Sequence, residues 1–281
     1  MKIVRSVDQM FNISSVARRS GRRIGFVPTM GALHQGHLSL IRAARRENDL
    51  VVVSIFVNPL QFGPKEDFKR YPRAFIRDKR LCRDEKVDFV FSPPADQIYP
   101  EDFKTAVLVK ELSDLLCGSS RPGHFQGVAT VVSKLFNIVS ADTAYFGQKD
   151  AQQTVIIRQM VRDLNIPVKI RVMPIVREKD GLAMSSRNIY LSPRERQDAL
   201  VLPEALKLAK TLVQGGQRDS RVLIGRMRKL ISGKKSAKID YIAVVDEKTL
   251  RPLKKISSGC LILAAVFFGR TRLIDNLIVA A

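Results

Sequence analysis

Along the chain, unbroken apolar runs alternate with helically spaced apolar positions, and glycine- and proline-rich turns separate them. Ile24-Gly25-Phe26-Val27 predicts a buried strand, after which Leu38, Leu40, Ile41, Ala43 and Ala44 recur as one helix face. Residues 49–57 are nearly continuous apolar sequence, as expected of a central parallel strand covered on both faces. Residues 65–86 are charged and helix-like with an interruption at Pro72, and 87–91 read as the next strand. A less regular region follows, with a strand expected at 105–110. Then come a long apolar helix at 128–139, a strand at 141–146, a helix at 151–164 and a strand at 168–176. This alternation predicts an α/β domain with a parallel sheet over residues 1–176. From Pro193 the order changes to a helix reaching about Gln214, a helix at 220–231, strands at 238–245 and 260–268, and a short terminal element at 272–279. Residues 177–281 are therefore expected to form a smaller α+β domain with an antiparallel sheet.

Polar residues with chemical potential gather where strands end. The stretch Pro28-Thr29-Met30-Gly31-Ala32-Leu33-His34-Gln35-Gly36-His37 is a strand-to-helix turn holding two of the three histidines in the chain. Such a turn aims backbone N–H groups and a helix N-terminus at one spot, which suits phosphate. Gly31 and Gly36 have nearly P-loop spacing, but His37-Leu38 stand where a P-loop has Lys and Ser or Thr, and the dinucleotide Gly-x-Gly-x-x-Gly spacing is missing. What remains is a His-x-Gly-His turn of the adenylate-forming and nucleotidyl-transferring enzymes, whose cores are Rossmann-like; the bland alternative is that the two imidazoles only cap and pack the helix. Asn58 and Gln61, at the tip of the second strand, suit a small polar substrate or else satisfy their own turn. Gly147, Gln148, Lys149 and Asp150 form another strand-to-helix junction, with Gln153 one turn on. Capping accounts for Asp150 but not for Lys149, whose charge is unfavourable at a helix start. The segment 118–127, with the third histidine His124, reads as a substrate lid or wall, or else as a plain connector. The polar loop 177–188, with Ser185, Ser186 and Arg187, reads as a phosphate clamp, a linker, or both.

Composition narrows these readings. With 281 residues, 45% of them hydrophobic and 27% charged, the chain can bury a full core. No apolar leader follows Met1-Lys2-Ile3-Val4-Arg5 and no run of membrane-spanning length occurs, so a cytoplasmic protein without a membrane partner is expected. Cys82, Cys117 and Cys260 are too scattered for a zinc site or a disulfide framework. The formal charge of +21 would attract anions, but Lys and Arg are dispersed and aromatic interleaving is weak, so nucleic acid is not the expected partner.

Taken together, residues 28–37, 58–62, 121–127, 146–153 and 180–188, in that order, and the ending Arg272-Leu273-Ile274-Asp275-Asn276 resemble the pantoate-β-alanine ligase family of the HxGH nucleotidyltransferase superfamily, over essentially the whole chain. The resemblance implies that ATP and pantoate give pantoyl adenylate and pyrophosphate, and that β-alanine then displaces AMP. It places ATP against Met30, Gly31, Ala32, Leu33, His34, Gln35, Gly36, His37, Gly147, Gln148, Lys149, Asp150, Val176, Met184, Ser185, Ser186 and Arg187. It places pantoate and β-alanine at Asn58, Gln61 and Gln153, and gives His37, His34 and Lys149 the catalytic roles. It also implies Mg²⁺, with Asp78 as the position of the family's acidic ligand although Arg77 precedes it, a homodimer, and a domain at 177–281 that closes over ATP. An aminoacyl-tRNA synthetase shares the histidine turn, but 281 residues leave no room for an anticodon-binding domain.

Overall fold

The computed structural model describes residues 1–64 and 66–280. The first strand, β1 (Lys2–Val4), leads into α1 (Val7–Arg19), β2 (Ile24–Thr29), α2 (Gln35–Glu47) and β3 (Leu50–Ile55). Then follow α3 (Phe75–Asp84), β4 (Phe89–Phe91) and the short helices α4 (Ala95–Ile98) and α5 (Cys117–Ser120). The unit ends with α6 (His124–Val139), β5 (Thr143–Gly147), α7 (Ala151–Asp163) and β6 (Lys169–Met173). All paired strands of the sheet are parallel, in the order β1-β4-β3-β2-β5-β6. Central strands β2 and β3 are buried almost throughout while edge strand β6 is not, the burial expected of a sheet covered on both faces. One face packs on α1, α6 and α7 through Phe26, Val52, Val132, Phe136 and Ile157, and the other on α2 and α3 through Val27, Val53, Ile41, Ala44 and Cys82.

The second sheet, β7 (Ala237–Val245), β8 (Cys260–Phe268) and β9 (Thr271–Val279), is antiparallel with β8 in the centre. Helices α8 (Pro193–Ala199), α9 (Val201–Gln214) and α10 (Ser220–Ser232) accompany it. Strand β8 is apolar at nearly every position because both its faces are covered. Ile262, Ala264, Val266 and Phe268 meet the helices, and Leu261 and Leu263 meet Ala151, Leu112 and Leu115 of the first unit.

Four expectations change. The helix expected from Pro193 to Gln214 breaks at Leu200, where Pro203, in the first turn of α9, would drive its ring into the carbonyl of Ala199 were the helix continuous. Residues 105–110 join no sheet, and the Val107 amide instead donates to Thr130 Oγ1 at 2.9 Å. In the stretch 65–86 the helix begins only at Phe75, past Pro72; Lys65 lies outside the described residues. The terminal element is a full nine-residue strand.

Strand order fixes where a ligand can bind. From β2 the chain proceeds outward through β3 to β4, whereas β5 and β6 lie on its other side, so the crossovers diverge between β2 and β5. Beyond the carboxyl ends of such neighbours an open sheet leaves its crevice.

Candidate active site

At the end of β2 the backbone bends sharply. Gly31 has φ +85°, and a Cβ there would lie 3.0 Å from Asp78 Oδ2 and 3.1 Å from Ile55 Cγ2, so the position demands glycine on both counts. Asp78, in the first turn of α3 and 1% exposed, accepts the amides of Ala32 and Leu33, each at 2.8 Å. Thr29 Oγ1 takes the Gly31 amide at 3.1 Å and donates to Ser54 O at 2.7 Å. These bonds correct two expectations. The turn is not an open cradle of backbone amides, because those of Gly31, Ala32, Leu33, His34 and Gly36 are bonded within the protein. Asp78 is not the unengaged acid that a free metal ligand would be, since each of its oxygens already accepts an amide of the turn. Burial pushes its carboxyl up, against the pull of the two amides.

What the turn presents instead is imidazole. His34 caps α2, its Nδ1 accepting the Gly36 amide at 3.1 Å, and His37 Nδ1 accepts the His34 amide at 3.3 Å, a reciprocal capping box. The rings lie 4.2 Å apart at 43°. An amide can only donate, so each Nδ1 is the bare nitrogen and each Nε2 carries the proton. Burial first, then the charge of Lys149, lowers His34 to about 4. Burial, then His34 and Lys149, lowers His37 to about 3. Capping and chemistry are thus not alternatives: one nitrogen of each ring holds the helix, and the other is a neutral N–H donor that does not ionise near pH 7.

Beyond β3, Asn58 and Gln61 flank a single 3-10 turn, Pro59–Gln61. Asn58 is 1% exposed. Its Oδ1 accepts from Tyr99 OH at 2.8 Å and the Leu60 amide at 3.3 Å, and its Nδ2 donates to Gly127 O at 3.0 Å and Gln61 Oε1 at 3.2 Å. With its full hydrogen-bonding capacity used, Asn58 is not a free substrate ligand as expected but the residue that orients Gln61. Gln61 Nε2 donates to Met30 Sδ, 3.0 Å away on the histidine turn. The helix carrying Gly127 can approach this turn only because a Cβ, which would sit 2.3 Å from Leu60 O, is absent. His124 lies behind Gln61: its Nδ1 donates to Gln61 O at 2.8 Å and its Nε2 accepts from Arg121 at 2.9 Å. Burial and then Arg121 lower its pKa to about 4, so both nitrogens are structural.

At the end of β5, Gln148, Lys149 and Asp150 form a 3-10 turn. Asn276 of β9 holds it, donating from Nδ2 to Gln148 O at 2.9 Å and Lys149 O at 3.0 Å. The neighbouring Asp275 takes a bidentate bond from Arg177 at 2.7 and 3.0 Å. Asp150 makes no side-chain capping bond, contrary to the expectation that capping alone explains it, and is exposed in the crevice. Gln153 lines a small pocket of about 40 Å³ with Lys149, Arg121 and His124. Gln152 is turned away and ties Cys117 N and the carbonyls of Leu112 and Leu115 to α7.

The 177–188 loop folds back on itself, with Met184 N donating to Val176 O at 3.0 Å, and brings Met184 toward Gly36. Ser185 Oγ caps the following turn through the Arg187 amide at 3.2 Å. Ser186 Oγ lies 3.4 Å from Tyr71 OH. The Arg187 guanidinium forks onto Asp67 at 2.9 and 3.0 Å, and Arg121 forks onto Glu66 at 2.6 and 2.7 Å. Burial would raise both acids, but their arginine partners prevail and hold them low. Arg187, Ser185, Lys149, Asp150 and Arg121 share the wall of one cleft of about 870 Å³. The strand-tip lysine and the serine-arginine loop therefore face one space, and Lys149 acts electrostatically on both imidazoles of the histidine turn. Val176 enters only as the backbone partner of Met184. Sequence reasoning missed the roles of Tyr99, Glu66, Asp67, Arg177 and Asn276. The ending 272–276 was a signal for the last of these, but the others carry no local spacing that marks them.

A family model described as pantoate-beta-alanine ligase matches residues 2–278. The chain is 54% identical over 281 residues to a pantothenate synthetase of Caldicellulosiruptor bescii, covering 100% of both chains. It is 56% identical over 278 residues to one of Thermotoga petrophila, covering 99% of each. Among solved structures, a pantothenate synthetase from Thermus thermophilus superposes with TM-score 0.95 at 46% identity and full coverage of both chains. A pantoate-beta-alanine ligase from Francisella tularensis, complexed with beta-gamma ATP and beta-alanine, superposes with TM-score 0.81 at 37% identity, covering 99% of this chain and 97% of the other.

Proposed function

The chain belongs to the pantoate-beta-alanine ligase family, and we propose the following roles for its residues in the AMP-forming condensation of pantoate with β-alanine. In the first half-reaction a pantoate carboxylate oxygen bonds to the α-phosphorus of ATP as the bond to the β-phosphate oxygen breaks, giving pantoyl adenylate and pyrophosphate. In the second, the β-alanine amine bonds to the acyl carbon, the bond to AMP breaks, and the amine loses a proton. Negative charge moves across phosphate oxygens in the first step. The Nε2–H groups of His34 and His37 are preorganised donors for that charge, and Lys149 adds a cation on the opposite side of the crevice. Gln61 and Gln153 hold pantoate, and Gln61 also meets β-alanine. Arg187, with Ser185 and Ser186, exchanges its bond to Asp67 for phosphate.

The observation that carries this reading is the histidine pair whose Nδ1 atoms are occupied by amides, which leaves two neutral donors side by side. Pantoate-dependent ATP–pyrophosphate exchange tests it. His37→Ala should lower the exchange rate roughly 10²–10³-fold, the loss expected for one transition-state donor. Exchange supported by an amino acid and not by pantoate would overturn the assignment, and an unchanged rate in His37→Ala would overturn the role of the pair.

Mg²⁺ would accompany ATP on phosphate oxygens and water, since the described residues offer it no cage. We further take residues 177–281 as the domain closing over ATP, and the enzyme as a cytoplasmic homodimer, on the strength of the family resemblance. Light scattering coupled to size exclusion checks the dimer.

A further inference from the structure

Asn58 is a buried amide with every hydrogen-bonding position filled, so its orientation is decided by groups that cannot reverse their roles. The Leu60 amide only donates and the Gly127 carbonyl only accepts. Together they set Oδ1 on the side of Leu60 and Nδ2 on the side of Gly127. Tyr99 OH, 2.8 Å from Oδ1, must then be a donor. Gln61 must turn its own oxygen to Asn58 Nδ2, which leaves Gln61 Nε2 toward the histidine turn, where it donates to Met30 Sδ at 3.0 Å and keeps one N–H of the amide uncommitted.

The Tyr99 ring is itself fixed. It lies 5.0 Å from Phe103, edge on, and 6.2 Å from Phe56, and Lys134 Nζ sits 4.5 Å from the Phe103 ring centre and 5.8 Å from that of Tyr99. Burial drives the phenol pKa up, so the hydroxyl remains a donor at every working pH.

We infer that Tyr99 is a positioning residue for pantoate, acting through Asn58 to keep the Gln61 amide turned so that its N–H₂ faces the hydroxy acid. The inference rests on the reading of Gln61 as a pantoate ligand. A substrate bearing hydroxyls and a carboxylate offers acceptors, and a Gln61 amide turned the other way would meet them with its own oxygen. Tyr99 touches neither the substrate nor the reacting atoms; its effect is on the population of one amide orientation.

The test is a double-mutant cycle of Tyr99→Phe and Gln61→Ala, read as KM for pantoate, KM for ATP and kcat of the complete enzyme. Loss of one hydrogen bond of this kind corresponds to a rise of about 3–10-fold in KM for pantoate in Tyr99→Phe, with KM for ATP unchanged. In the Gln61→Ala background the same substitution should change nothing further. Asn58→Asp is a second line: it keeps acceptors toward Tyr99 and Leu60 but places an acceptor against Gln61 and against the Gly127 carbonyl, so Gln61 turns its Nε2 inward and KM for pantoate rises at least as far. Equal effects of Tyr99→Phe in both backgrounds, or equal rises in both KM values, would overturn the relay and leave Gln61 in place. An unchanged KM for pantoate in Gln61→Ala would overturn the Gln61 assignment, and the relay with it.

Discussion

Acidification from pH 7 to 4.5 is the perturbation that bears most directly on the histidine turn. An imidazole in the unfolded chain titrates near 6.5, whereas His34 and His124 are lowered to about 4 and His37 to about 3 in the fold. Between those values the unfolded chain binds more protons than the folded one, so stability falls as pH drops below about 6.5 and these groups add no dependence above it. One pKa unit is worth about 1.36 kcal/mol, so the shift of His34 alone amounts to about 3 kcal/mol by pH 4, a large part of a typical stability of about 5–15 kcal/mol. Glu66 and Asp67, held low by their arginines, lose stability in the same direction as pH falls, while Asp78, raised by burial, acts with the opposite sign and offsets part of the loss. Urea midpoints at pH 7, 6, 5 and 4.5 give the slope. Ring ¹⁵N shifts give the ionisation directly, since the chain has only three histidines. All three rings should remain neutral at pH 5.5, with Nδ1 unprotonated in His34 and His37 and Nε2 unprotonated in His124. A ring of the pair titrating near 6.5, or stability flat between pH 6.5 and 4.5, would refute the argument.

Asp78→Asn leaves one of the Ala32 and Leu33 amides facing an N–H₂, and should cost about 2–3 kcal/mol in a urea melt; it should impair adenylation without altering the Mg²⁺ concentration dependence, which a metal ligand would change. Lys149→Ala should raise KM for ATP and slow single-turnover adenylation, and unchanged kinetics would remove Lys149 from the phosphate site. Gly127→Ala forces a methyl against Leu60 O, so the Pro59–Gln61 turn must shift; stability should fall by about 1–3 kcal/mol, seen by calorimetry, and KM for pantoate should rise.

The alternation of runs and helical faces in residues 24–57 and 141–176 was sufficient for the parallel sheet, because backbone pairing and burial leave a periodic trace in the chain itself. Gly31, Gly36 and the two histidines marked the candidate site for a similar reason, as tight turns and helix starts are specified within a few residues. What each polar group is spent on was not legible. Asp78 meets Ala32 from 46 positions away, Arg187 meets Asp67 from 120, and Gln148 is held by Asn276 from 128. In sequence the turn reads as a phosphate cradle because its amides look free, and Asn58 as a ligand because its amide does. Only the folded chain brings up the carboxylate, the phenol and the carbonyl that claim them. Hydrogen-bonding capacity is finite and is filled by whatever the tertiary structure brings within about 3 Å. The sequence thus determined where the candidate chemistry gathers, and packing decided that the turn offers two imidazole Nε2–H groups in place of open amides and aims the Gln61 amide at Met30.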